Sequence, residues 1–342
     1  MVRKLAIMSG LVVGAIVLLA AGAFALAQTT AGQAQIAQLV ARELSRPGRP
    51  AEVEQLSGLL PFDVRLGSLR LRDAEGAWLE VDDARLELRP TALLRGEVAV
   101  AEVGARRVAL HRLPSADTAP AEPFRLPQLP DLPSRLPAIS VERLFVDALE
   151  VGASVLGAAA MFALEGSGGT GAERTTATAS LDLRRTDEPT ARLDLNAAVD
   201  LAAPALRVGI EGSETGGLLA AATGRAEAGA LHLSLQGDGP LSDWRGRLAV
   251  DAEDLARLDL AVELAYAERR RLALTGTLDA RPGALPAEVE QIVGSRAEIA
   301  LAADEHEPGR FALSELEGQA PSLAVRGAGK AELGKRVRKK VR

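Results

Sequence analysis

The residues that could carry chemistry in this chain are few and lie far apart. The three histidines, His111, His232 and His306, are widely separated, and cysteine is absent. The lack of cysteine excludes disulfides, zinc–thiolate sites, iron–sulfur clusters and a cysteine nucleophile. The separation of the histidines argues against histidine-rich metal chemistry and against a conventional catalytic triad. We therefore expect a protein that is not an enzyme and that binds no cofactor and no metal.

Two further patterns have a chemical interpretation that the surrounding sequence does not support. Residues 166–171 match the G-x-G-x-x-G pattern of dinucleotide-binding loops, which requires a helix directly after the loop. The residues that follow, 175–178, are rich in β-branched threonine, so we interpret the glycines as a hairpin tip. The acidic runs Asp82-Asp83 and 304–307 are interpreted as solvated turns, because adjacent residues on a strand point to opposite faces.

Charge is unevenly distributed along the 342 residues. The net charge is −6, yet the last nine residues carry six positive charges, which leaves −12 for the rest of the chain. An acidic body argues against nucleic acid as a partner. The basic tail, residues 330–342, could contact phosphate or anionic lipid, or it could be a solvated terminus.

The N-terminal residues predict a membrane anchor. Residues 1–4 contain Arg3 and Lys4, and residues 5–27 are a run of 23 without a charge. At about 1.5 Å per residue this run spans roughly 34 Å, enough to cross a bilayer with the basic residues kept in the cytoplasm. A cleaved signal peptide is the alternative, because residues 25–27 have a small-x-small form, although the run is longer than a usual signal.

Residues 28–50 predict a short helix and a break. From Thr30 to Leu44 the apolar residues recur at helical spacing and leave one apolar face. Thr29 or Thr30 could cap the helix, and residues 47–50 end it. Its apolar face could lie on the membrane surface, or the helix could plug the end of a β-domain.

The body, residues 51–113 and 138–329, alternates apolar and polar residues with period two. This pattern predicts many strands, some twenty in all, each with one apolar face. The alternation changes phase at Gly67-Ser68 and at Asp82-Asp83, where we expect a bulge or bend. The apolar alternates that we expect to face an interior are Val64, Leu66, Leu86, Leu88, Val98 and Val100. One short helix is expected within residues 285–293.

The apolar faces of so many strands must be buried by some means. Two sheets could pack together, one sheet could close, or a curved sheet could hold an apolar ligand. Residues 114–137 contain seven prolines and predict an extended connector between the two β segments, or a segment that a partner recognises.

Residues 67–79 resemble the opening signature of the TamB family, the inner-membrane-anchored subunits of the bacterial translocation and assembly module. The likeness includes Asp73, Gly76 and Trp78, and it continues through Pro90 and Gly96 into the proline-rich stretch. After that stretch, residues 139–144, 149–157 and 284–294 are also similar to the family.

This resemblance implies a mainly β protein, with an N-terminal transmembrane helix followed by an elongated, curved, antiparallel, taco-like sheet and few short helices. Its apolar interior would carry phospholipid between the inner and outer membranes. The implied partners are phospholipid, the inner membrane and a TamA-like outer-membrane β-barrel protein. Family members are several times longer, so we expect this chain to be an N-terminal part. The alternative function is an exported structural or adhesive β-protein with a closed core.

Overall fold

In this computed structural model the described residues form one β-sheet of sixteen strands, which follow one another across the sheet in sequence order. The structure describes residues 28–46, 48–115, 135–188, 190–215, 217, 229–266, 270–281, 295–307, 310–320 and 323–332. The strands are β1 Ala51–Ser57, β2 Asp63–Asp73, β3 Gly76–Leu88, β4 Val98–Leu110, β5 Ile139–Val151, β6 Ala160–Thr170, β7 Thr176–Arg185, β8 Ala191–Asp200, β9 Ala205–Glu214, β10 Leu231–Pro240, β11 Trp244–Ala252, β12 Ala256–Tyr266, β13 Arg270–Ala280, β14 Arg296–Glu307, β15 Arg310–Ala320 and β16 Leu323–Glu332. At about 4.8 Å per strand, the sheet measures roughly 72 Å from β1 to β16. The mainly β prediction is therefore confirmed.

Helix α1, Thr30–Leu44, begins and ends where the sequence predicts it. Thr29 is its N-cap, and its hydroxyl accepts a hydrogen bond from the Gly32 amide at 3.0 Å. At the other end, the Ser45 amide donates to the Ala41 carbonyl at 3.0 Å. The Ser45 hydroxyl then accepts from the Ala51 amide at 2.9 Å, which ties the end of the helix to the start of β1.

Two one-turn helices fill connections between strands. Helix α2, Pro90–Leu93, starts with a proline, whose fixed φ suits the first turn of a helix. Helix α3, Ala153–Leu156, ends at Gly157, which has a φ of 83°, a backbone conformation that favours glycine. The helices of the described residues are thus few and short, as expected.

Period-two alternation decides between strand and helix where both patterns fit. Leu258 and Val262 also suit a helix, but β12 pairs along its whole length with β11 and with β13. The strand interpretation of this segment is therefore confirmed. Gly327 and Gly329 lie inside β16.

One strand pair departs from the antiparallel sheet that the sequence predicts. Strands β4 and β5 run parallel, with Val98 opposite Ile139 and Leu110 opposite Val151. A parallel pair needs a crossover connection that returns the chain to the end where the first strand began. Residues 111–138, which include the proline-rich segment, provide this length of chain. All other adjacent pairs are antiparallel.

Several predictions fall outside the described residues. These are the anchor at 5–27, most of the proline-rich connector, the short helix within 285–293 and nearly all of the basic tail. Among the residues that are described, no helix has the length and apolar character needed to cross a bilayer.

Large aromatic rings cover glycines on the sheet surface. The Trp244 indole lies where a Cβ on Gly237 or Gly246 would be, so only glycine leaves room for it. The ring is 4% exposed, and its Nε1 donates to the Leu206 carbonyl at 2.9 Å. A tryptophan placed over strand glycines restores the packing that glycine lacks. It holds β9, β10 and β11 together on one face.

We expect Trp244→Ala to lower the free energy of unfolding by about 3 kcal/mol, because it removes a buried ring and leaves two glycines uncovered. Trp244→Phe is the control, because it keeps a smaller ring on the same face and loses the indole donor and part of the covering ring, so its cost should be lower, about 1–2 kcal/mol. Urea unfolding followed by circular dichroism measures both changes. Equal losses for the two variants would show that ring packing is not the cause.

Candidate functional site

The candidate site is the apolar face of the sheet, where cross-strand pairing aligns residues into three rows. The first row crosses β2–β16, the second crosses β1–β14 and the third crosses β3–β16, and each position in every row is apolar or glycine. The first row is Val64, Leu86, Val103, Leu144, Gly166, Leu181, Leu195, Ile210, Leu235, Leu248, Leu260, Gly276, Ile299, Gly318 and Val325. The second row is Leu56, Leu66, Ala84, Ala105, Val146, Leu164, Leu183, Leu193, Gly212, Leu233, Val250, Leu258, Leu278 and Ala297. The third row is Leu88, Val100, Val141, Gly168, Ala179, Ala197, Val208, Gly237, Gly246, Val262, Leu274, Leu301, Leu316 and Gly327. We call these three rows the apolar strip.

The six residues that the sequence singles out lie on this one face. Val64 and Leu86 belong to the first row and Leu66 to the second, while Leu88 and Val100 are paired in the third. Val98 lies two residues before Val100 on the same strand face and is 41% exposed at the end of β4. The pairing therefore brings together residues that are far apart in sequence.

The apolar strip is only partly covered. Leu260 is 8% exposed, whereas the other leucines of the first row are half-buried. At one end of β5 and β6, Val155 and Leu156 of α3 pack on Val151 and Phe162 and form a small core. In a compact domain, side chains of this type would be fully buried against a second layer. The half-buried strip is thus available for contact with another apolar body.

A line of irregular positions keeps the apolar residues on one face in the first five strands. The ladder of paired residues is interrupted at the same level in each of these strands, by Gln55, Gly67, Asp83, Arg106 and Asp147. Gln55 and Asp83 have positive φ values of 58° and 53°. The predicted phase changes at Gly67-Ser68 and Asp82-Asp83 are confirmed. The interruption ends at a register shift between β5 and β6.

Gly67 has a steric role in this line. The Gln55 side chain crosses Gly67, and a Cβ there would collide with it. Below the interruption Leu66 pairs in the second row; above it, Leu69 pairs with Val81. The pairs on the two sides of the interruption continue from strand to strand through β5 and reach alternate residues of β6. Alternate residues of a regular strand point to the same face, so the residues on both sides of the interruption share one face.

Arg185 is a charged residue on the apolar face. It pairs with Phe162, and its side chain is 3% exposed. Its Nε and Nη2 donate to the Asp187 carboxylate at 2.8 and 3.1 Å, while Nη1 has no partner. The Arg185 guanidinium lowers the pKa of Asp187 to about 2. Sequence analysis missed this residue, although Arg185 follows Leu181 and Leu183 at alternate positions, which indicates a charged side chain on the apolar face.

Charged side chains on the opposite face form a continuous ladder. Successive nitrogen–oxygen distances of 2.7–3.9 Å join strands β3 to β8 through Arg85, Glu102, Arg143, Glu165, Arg184, Asp182, Arg192 and Asp194. The Arg192 guanidinium lowers the pKa of Asp194. Such exposed pairs contribute little individually, about 0–1 kcal/mol. They identify this face as the one that solvent wets.

Residues of the family-like signature stabilise the turn between β2 and β3. The Asp73 carboxylate, 2% exposed, accepts from the Arg112 guanidinium, from the Ser115 amide at 3.0 Å and from the Glu75 amide at 2.9 Å. The Arg112 guanidinium is the main cause of a pKa of Asp73 well below its usual range. Gly76 has a φ of 109° in the same turn.

Of the other signature residues, one lies in a strand and two lie in the connection between β3 and β4. Trp78 lies in β3, and its carbonyl accepts from the His111 amide at 3.0 Å. Pro90 opens α2, and Gly96, with a φ of 71°, follows it. The structure thus gives all five signature residues positions in the scaffold. None of the five belongs to the apolar strip.

A concavity lies on the polar face. It measures about 800 Å³, and Ser167, Ser180, Asn196, Gln236 and Arg247 line it. Its floor is the backbone of the third row, where glycine and alanine leave little side-chain volume on the sheet. Arg247 is paired with Asp259. This concavity is open to solvent, and its lining combines neutral polar groups and paired charges with small apolar residues of the third row.

The glycine-rich motif at residues 166–171 is largely a strand. Gly166, Gly168 and Gly169 lie within β6 and pair with β7, so the hairpin tip comes later in the sequence than predicted. No helix follows directly, because residues 176–185 form β7. Within the described ranges, no group of three or more histidine or acidic residues could hold a metal ion.

Comparison with known proteins identifies no relative of this chain. No protein-family model matches it, and neither a curated protein nor a solved structure is significantly similar.

We expect Asp187→Asn to lower the free energy of unfolding by about 1–2 kcal/mol, because it removes the carboxylate charge that pairs with the buried Arg185 guanidinium. The penalty should shrink as pH falls from about 5 toward 2. The native Asp187 pKa lies below its ordinary value, so its contribution is complete above that value and lost on acidification. Urea unfolding at several pH values measures both effects.

Asp243→Asn is the matched control. Asp243 pairs with Arg245 at the same two-residue spacing, but both side chains are more than half exposed. Its removal should cost less than about 0.5 kcal/mol. Equal losses for the two variants would show that burial of Arg185 is not what matters.

Proposed function

We propose that this chain is a non-enzymatic, inner-membrane-anchored periplasmic protein whose apolar strip carries phospholipid between the inner and outer membranes. The observation that carries the proposal is the unbroken alignment of three apolar rows over fourteen or fifteen strands. The resemblance to the TamB family adds the periplasmic location, a role in outer-membrane protein assembly and a TamA-like barrel as partner.

The dimensions of the apolar strip suit acyl chains. Rows two residues apart are separated by about 7 Å, so the strip is roughly 14 Å wide and 67 Å long. Its area, about 900 Å², exceeds the largest apolar patch of a usual soluble monomer. The acyl chains of one leaflet are about 15 Å long, so several could lie along the strip.

Burial of acyl methylenes favours a sheet that surrounds the acyl chains on more than one side. Each buried methylene contributes about 0.8 kcal/mol, so a sixteen-carbon chain in contact on one side only recovers about half of roughly 13 kcal/mol. The other half is recovered if the sheet curves or if two acyl chains lie side by side. Headgroups would then remain at the open edge, near polar groups. Transport along such a surface needs no catalytic residue.

We expect a photo-crosslinker at Leu195 to capture phospholipid and one at the adjacent Asn196 to capture little. Leu195 lies in the first row, and Asn196 points to the polar face beside the 800 Å³ concavity. Leu86 and Arg85 provide a second matched pair. Mass spectrometry of the crosslinked protein identifies the lipid.

The same pairs test the competing sites. Capture at Asn196 rather than Leu195 would place the ligand in the polar concavity and refute the apolar strip. Absence of lipid from all four positions, and from the purified protein, would favour the structural or adhesive alternative with a closed core.

The anchor generates a separate prediction. A reporter fused after Ala31 should be active only in the periplasm, and the chain should remain in the membrane pellet after an alkaline wash. Charges at Val13→Arg and Ile16→Arg should abolish insertion, because each costs about 3 kcal/mol in the apolar run. Recovery of a soluble form that begins at Gln28 would show cleavage instead.

A further inference from the structure

Helix α1 packs on β1 with small and polar residues and leaves its large apolar residues exposed. Ala37 is its buried residue, while Leu39, Val40 and Leu44 are 57%, 38% and 45% exposed. Ile36 is half-buried. With 100° of rotation per residue, the mean direction of these four side chains lies about a quarter turn around the helix axis from the direction of Ala37. We call Ile36, Leu39, Val40 and Leu44 the α1 stripe. An apolar helix stripe without a protein partner needs another apolar surface.

The helix lies alongside the edge strand of the sheet. Near its start, Gln28 Nε2 donates to the Leu60 carbonyl at 2.7 Å, and Gln28 Oε1 accepts from the Leu60 amide at 3.1 Å. At its end, the Ser45 hydroxyl accepts from the first residue of β1 at 2.9 Å. Helix α1 is therefore antiparallel to β1 and extends along it. Strand β1 is the first strand of the sheet that bears the apolar strip.

The chain before the helix limits where α1 can be. The uncharged run ends at residue 27, and only Gln28 and Thr29 separate it from the first helical residue. Two extended residues span at most about 7 Å. If the run crosses the membrane, as in the proposed function, α1 must begin at the membrane surface.

We propose that the α1 stripe is embedded in the periplasmic surface of the membrane that anchors the chain. This proposal rests on the proposed function and specifies how the protein stands on its membrane. With α1 flat on the bilayer, the strands are parallel to the membrane plane. The second row of the apolar strip begins at β1, beside the helix.

Lipid-depth measurements on the full-length protein test the proposal. The natural chain has no cysteine, so Leu39→Cys and Leu44→Cys each create one labelling site. The labelled protein is reconstituted into phosphatidylethanolamine–phosphatidylglycerol vesicles that contain a nitroxide-labelled phospholipid. Fluorescence at positions 39 and 44 should be quenched several-fold more than at Gln38→Cys, an exposed position on the far side of the helix.

A second measurement excludes a purely structural explanation. The double variant Leu39→Asp, Leu44→Asp should reduce phospholipid capture by a crosslinker at Leu195 several-fold, whereas Gln38→Asp should not. All three substituted residues are exposed, so the fold should tolerate the changes.

Three outcomes would overturn the proposal. One is equal quenching at positions 38, 39 and 44. Another is shielding of 39 and 44 that rises with protein concentration in the absence of vesicles, which would indicate a second copy of the chain. The third is shielding of 39 and 44 in vesicle-free protein at every concentration, which would mean that the chain itself covers the stripe. Lipid capture at Leu195 together with unquenched labels at 39 and 44 would leave the proposed function standing and reject only the membrane contact of α1.

Discussion

The structure depends on one constraint, the parity of its strands. Every strand must present its apolar alternates on the same face, because a slip of one residue would turn the whole set to the other side. Sixteen strands in sequence order must satisfy this condition together. Leu195 pairs with Leu181 on one side and Ile210 on the other, and the same match recurs across the sheet. In the part of the chain that the structure describes, no second sheet packs on this one, so the pairing register builds the apolar strip.

Several irregular features of the fold help to keep the apolar residues on one face or to pack that face. The interruption through Gly67 and Asp83 adds a residue at the same level in adjacent strands, so the apolar set returns to its face. The long connection between β4 and β5 lets those strands pair in parallel without losing the match of Val103 to Leu144. Trp244 restores packing where two glycines leave the face thin.

Much of this fold follows from local sequence, whereas the shared surface does not. Period-two alternation predicts the strands, and capping residues predict α1 to the residue. The six candidate residues, Val64 to Val100, lie on one face because alternation fixes orientation within each strand. The parallel β4–β5 pair could not be predicted, because the connector allows either direction. Arg185 was missed because one charged residue among apolar alternates is informative only once its cross-strand partner, Phe162, is known. The exposure of Leu39 and Leu44 could not be predicted either, because an apolar stripe in the sequence does not show which side of the helix packs against the sheet.

Parity also determines how such a sheet can meet a membrane. A surface whose apolar residues align across strands is continuous in the direction perpendicular to the strands. It can guide an apolar molecule only along that direction, so its ends are the two edge strands rather than the ends of individual strands. Strand β1 is one such edge, and the hydrogen bonds of Gln28 and Ser45 hold α1 along it. The helix that follows the proposed anchor therefore lies along the edge of the described sheet at which the second row of the apolar strip begins.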